Sequence, residues 1–159
     1  MSTNATIAMV DGTACRAVYL HWDGYLSWAG IILHDHYNTA EKVDALIALG
    51  ALSALGERLA PEPGEPHSFE DPVEDVTIAY ARDRGEPLEQ RTIPKSQLPD
   101  DECAFIQQLA DISGGNYVYL FDVQKGKWLV GTAFGYSESE RQDCPDAVPH
   151  VWYPLDNWF

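Results

Sequence analysis

Residues 6–22, TIAMVDGTACRAVYLHW, decide the fold. Thr6–Val10 and Cys15–Trp22 read as two strands. Asp11-Gly12 between them is a tight-turn signal, because both residues tolerate a positive φ. In the second strand Arg16, Val18, Leu20 and Trp22 share one face, and Ala17, Tyr19 and His21 share the other. A hairpin at the start makes an antiparallel sheet the expected frame.

Working outward, Asp23-Gly24 breaks the strand. Leu26, Ala29, Gly30, Leu33 and Tyr37 recur at helical spacing, which predicts a short helix over Leu26–Tyr37. Asn38 followed by Glu41 three residues on resembles a capping box, opening a helix with Val43, Leu46 and Ile47 as its buried stripe and Gly50 as its stop. Ala51–Leu55 extends that region by one further turn. Val76–Ala81 and Leu88–Ile93 are expected as a second strand pair. The acids of Pro99-Asp100-Asp101-Glu102 suit the positive end of a helix dipole, and Gly114-Gly115 ends that helix. Tyr117–Val123 and Trp128–Ala133 form a last hairpin about Lys125-Gly126. Pro145–Phe159 is expected as an extended tail on the body. The sum is one α+β domain over 1–159, a mostly antiparallel sheet built from hairpins with about three helices packed on one side.

Composition bounds the chemistry. The chain has 159 residues, 45% of them hydrophobic, enough for one core without metals or disulfides. Asp and Glu total 25 against 10 Lys and Arg, a net charge of −15. Such a chain repels nucleic acid and anionic membranes and favours basic partners; solubility alone is the plainer account. Cys15, Cys103 and Cys144 form no CxxC pair, and an odd count suits a reducing compartment. No basic leader and no apolar run of about 18 residues is present. Residence in a host cytoplasm is the expectation.

Residues 57–75 stand apart. Pro61, Pro63, Pro66 and Pro72 forbid regular structure over most of the stretch. Seven acids lie here, Glu57, Glu62, Glu65, Glu70, Asp71, Glu74 and Asp75, against the single cation Arg58. Asp71, Glu74 and Asp75 have i, i+3, i+4 spacing, so on a helix they would form a row able to imitate a phosphate backbone. A solvated flexible loop explains the same residues. The candidate partner contacts are therefore Glu62, Glu65, Glu70, Asp71, Glu74 and Asp75, with Trp152 and Trp158 as aromatic anchors.

Catalytic signals are thin. His21 and Asp23 share a strand face and would make an acid/base pair, or else a strand end with a turn cap. His34-Asp35-His36 suggests metal ligands, yet on a helix residues two apart diverge. A site built on His21, Asp23, His34 and His36 would need them to converge. No Walker loop, dinucleotide glycine pattern or G-x-S-x-G elbow occurs. No cofactor is expected.

The run Tyr19-Leu20-His21-Trp22-Asp23-Gly24-Tyr25, with His36-Tyr37-Asn38 and Ala45-Leu46-Ile47-Ala48-Leu49-Gly50, resembles a group of bacteriophage and prophage proteins with a Y-x-H-W-D-G-Y motif. Ala79–Glu86 is similar to that group too, while Leu26 stands where the group has Pro. The resemblance implies a viral accessory gene, of the kind that inhibits host defences in anti-CRISPR or anti-restriction fashion. It implies as partner a basic surface of a host nucleic-acid-binding defence protein, with no direct contact to nucleic acid. Two alternatives stand beside it: an enzyme or metal protein on the histidines above, and a homodimeric structural phage protein.

Overall fold

The computed structural model describes residues 2–159. The expected first hairpin is present as β1 (Ala5–Val10) and β2 (Ala14–Leu20), paired antiparallel with Ala5 opposite Leu20. Asp11 closes its turn, its carboxylate accepting from the N–H groups of Thr13 and Ala14. Gly24 then follows a residue at φ 56, Asp23. Five residues of π-helix, Leu26–Gly30, run into α1 (Ile31–His36). α2 (Ala40–Ile47) is capped by Thr39 rather than Asn38: the Thr39 hydroxyl accepts the Lys42 N–H.

Beyond α2 the elements depart from expectation. Gly50, at φ 76, ends the helical region, and Leu52–Ala54 forms strand β3 rather than another turn. Leu52 lies opposite Leu20 at the end of β2, so pairing with the sheet overrides local helical preference. Val76–Ala81 yields only β4 (Ile78–Ala79); Tyr80–Arg84 is helix α3, its start fixed by the Asp83 carboxylate accepting the Ala79 N–H. β5 (Arg91–Pro94) does not return along β4 but pairs with the first half of β2. The outer edge of β2 is thus shared, β5 against Ala14–Ala17 and β3 beyond Leu20.

α4 (Glu102–Ser113) begins as expected, with Asp101 accepting from the Ala104 N–H, and stops at Gly114, φ 69. β6 (Tyr117–Asp122) and β7 (Lys127–Thr132) make the last long hairpin, and β8 (Tyr153–Pro154) adds an edge. The sheet order is β4-β3-β2-β1-β6-β7-β8, with β5 on β2. Most pairings are antiparallel, but β1–β6 and β2–β3 run parallel, so the sheet is mixed.

The helices do not gather on one side. Ile7, Val18, Leu20, Tyr119 and Phe121 face the core with Leu33, Val43, Leu46 and Ile47 of α1 and α2. Ala8, Ala17, Val118 and Leu120 face a second core with Ile106 and Leu109 of α4. The reason is in the strands: β1 and β6 are buried at every central position, not at alternate ones, so both faces need cover. Thr6, fully buried, gives its hydroxyl to the Leu109 carbonyl at 2.7 Å and so ties α4 to β1.

Candidate functional site: an ordered acidic loop beside an apolar groove

Residues 57–75 contain neither helix nor extended strand pair, as their prolines require. Both ends are nevertheless closed. The buried Thr77 hydroxyl accepts the Gly56 N–H at 3.0 Å, the Tyr37 hydroxyl donates to the Gly56 carbonyl at 2.9 Å, and the Thr77 N–H reaches the Arg58 carbonyl at 2.8 Å. This closed base, with side chains of the loop packed inward, resembles a long Ω-loop.

Three inward side chains hold the loop. Arg58 donates to Glu65 at 2.8 Å and to Asp75 at 3.0 Å. Its hydrogen bonds hold the Glu65 carboxyl below the usual range, helped by the Glu62 N–H. His67, its side chain 3% exposed, accepts the Val73 N–H on Nδ1. That bond places the proton of the neutral ring on Nε2, which lies 3.3 Å from the Asp83 carboxylate, off line for a hydrogen bond. Burial opposes charge on Asp83, but the Arg82 guanidinium and the Ala79 N–H keep its carboxyl below the ordinary value. Phe69 packs on Tyr80, with the Arg84 guanidinium 4.3 Å above its ring.

The expected contact residues therefore divide. Glu65 and Asp75 are engaged by Arg58, and Asp75 sits at φ 63 in a turn, so the helical row Asp71, Glu74, Asp75 is not formed. Glu62, Glu70, Asp71 and Glu74 are exposed and have no ion-pair partner among the described residues. Trp152 packs edge-on against Phe105. Trp158 stacks on Tyr136 and gives its indole N–H to the Glu140 carbonyl. Both rings serve the body of the protein.

The histidines do not converge. His21 bonds through Nδ1 to the Tyr19 hydroxyl and meets Trp22 edge-on. Asp23 turns the chain, while its neighbour Gly24 gives its N–H to Thr3 and receives the Tyr119 hydroxyl on its carbonyl. The Y-x-H-W-D-G-Y segment is thus a strand end docked on the N-terminal segment. His34 lies between Asp35 and Asp156, each at 2.8 Å, and the hydrogen bond to Asp35, with that to Asp156, raises its pKa against desolvation. His36 is 3.8 Å from Glu57. Among the described residues no three His, Cys, Asp or Glu side chains gather as metal ligands. Burial pushes the Cys15 thiol up to about 12, so Arg16 beside it does not make a thiolate.

A groove of about 510 Å³ runs beside the loop, lined by Trp28 and Ile31 together with Val73 and Glu74. Trp28 and Ile31 are not among the residues singled out from sequence. The available signal was their position off the buried stripe of Leu26, Ala29, Gly30 and Leu33, which leaves two large apolar side chains in solvent.

Comparison with protein-family models, with curated proteins and with solved structures gave no significant match. Among the described residues no helix is long and apolar enough to cross a membrane.

Proposed function

We propose that this protein is a non-catalytic binder that occludes a basic, nucleic-acid-binding surface of a host defence protein. The observation that carries the reading is the set of four exposed carboxylates, Glu62, Glu70, Asp71 and Glu74, left without cations on a loop that Arg58 and His67 hold from within. An ordered acidic surface loses little conformational entropy on binding, so charge complementarity appears directly as affinity and association rate. The net charge of −15 adds long-range attraction to a basic partner and repulsion from nucleic acid itself. The viral resemblance of the Tyr19–Tyr25 segment supplies the class of partner.

The test is competition. The protein is added to a panel of RNA-guided nucleases and restriction endonucleases, and binding of labelled DNA is followed. Inhibition of at least one member is expected, weakening by about tenfold or more between roughly 50 and 300 mM salt. Reversing Glu62, Glu70, Asp71 and Glu74 to Lys should remove it. Glu65 and Asp75 are left intact, because their loss would unpair Arg58. A folded quadruple variant that inhibits as well as the parent would sink the proposal, as would inertness across the panel.

A further inference from the structure

The groove beside the loop assigns a second half to the interface. Its lining comes from separate segments: Trp28, Ile31 and Ile32 from the π-helix and α1, Leu55 just past β3, Val73 from the return of the loop, and Ile78 from β4. Trp28 is 45% exposed and Ile31 38% exposed, so this is apolar surface that the fold itself does not cover. Trp28 is not loose: its indole N–H reaches the Leu55 carbonyl at 3.3 Å, which fixes the ring as one wall. It is carried by a π-helical turn, an element that costs backbone regularity and is frequent at functional sites. The rim is acidic. Glu74 has no cation, and Glu57 meets only His36 at 3.8 Å.

An apolar floor with a charged rim is the anatomy of a protein interface, and a fixed Trp is a favoured anchor. The rim selects the occupant. A second copy of this chain brings its own −15 charge, and an anionic lipid surface is repelled in the same way. We propose that the groove receives a Lys/Arg-rich segment of the partner that inserts one bulky apolar side chain between Trp28 and Val73, with its basic residues on Glu57 and Glu74. This rests on the reading that the partner is basic, and adds that recognition is anchored by an apolar contact as well as by charge.

The experiment is selection of displayed random 12-residue peptides on the intact protein, followed by affinity measurement for the enriched peptides. Enriched peptides should carry a Leu, Ile, Phe, Met or Trp with Lys or Arg within four positions. Their binding should shift the Trp28 indole N–H resonance. Trp28→Ala and Ile31→Ser, both at exposed positions, should each weaken binding by about tenfold or more, with the near-ultraviolet circular dichroism of Ile31→Ser unchanged. Replacing the apolar residue of the peptide by Ser should do the same. The proposal is overturned if no peptide is enriched, if enriched peptides lack an apolar residue or are acidic, or if both variants bind them as the parent does. Dimerisation abolished by Ile31→Ser would assign the groove to self-association and equally overturn it. Failure of the nuclease panel with success here would remove only the defence reading; success there with failure here would leave a purely electrostatic interface.

Discussion

At the scale of residues, two positions make sharp predictions. Gly24 sits against the N-terminal segment, where an added Cβ would stand 2.6 Å from the Ala5 Cβ and 2.8 Å from the Thr3 carbonyl oxygen. Backbone cannot yield as a flexible side chain can, so Gly24→Ala should cost about 2–3 kcal/mol, read as a lowered denaturant midpoint at unchanged slope. His34 is a pH-sensitive residue. Both ring nitrogens face carboxylates, and both can donate only when the ring is protonated. Its folded pKa is raised above the ordinary 6.5, so its contribution is full below 6.5 and is lost as pH rises through the folded value. The stability difference between the parent and His34→Gln should be at most about 1 kcal/mol at pH 5.5, since the partner carboxylates are exposed. It should vanish in alkali; a difference that grows with pH would contradict this assignment.

At the scale of elements, the acidic loop is the informative one. Its acid content was plain in the sequence, but its order is a property of Arg58, His67 and Phe69. His67→Ala removes the acceptor of the Val73 N–H and the buried neighbour of Asp83. Amide exchange at Val73 should then rise by about tenfold or more, while α4 and β6 keep their protection. Equal acceleration throughout would mean that His67 supports the whole fold rather than the loop. The same side chains explain why only some carboxylates are free: an isolated cation amid acids is drawn inward to Glu65 and Asp75, and the remainder stay in solvent.

At the scale of the molecule, excess negative charge acts on stability and on binding with opposite sign. Screening by salt relieves self-repulsion in the folded chain and weakens attraction to a basic partner. Raising NaCl from roughly 20 to 300 mM should lift the melting temperature by a few degrees, about 1 kcal/mol, over the range in which binding to the proposed basic partner is expected to fall. A melting temperature that drops with salt would show that local ion pairs such as Arg58 with Glu65 and Asp75 outweigh net repulsion.

The β1–β2 and β6–β7 hairpins and α4 were legible because each is specified within about a dozen residues: a turn dipeptide between alternating or continuous apolar runs, or an acidic cap and a glycine stop. The acidic segment and its prolines were legible for the same reason, composition being local. What tertiary structure alone decided were the parallel meeting of β1 with β6, the strand rather than helix at Leu52–Ala54, the placing of α4 opposite α1 and α2, and a groove whose walls come from residues around 28, 55 and 75. These depend on pairings between residues far apart in the chain. Their free energy comes from shared burial of two surfaces, and neither surface carries a mark that names the other.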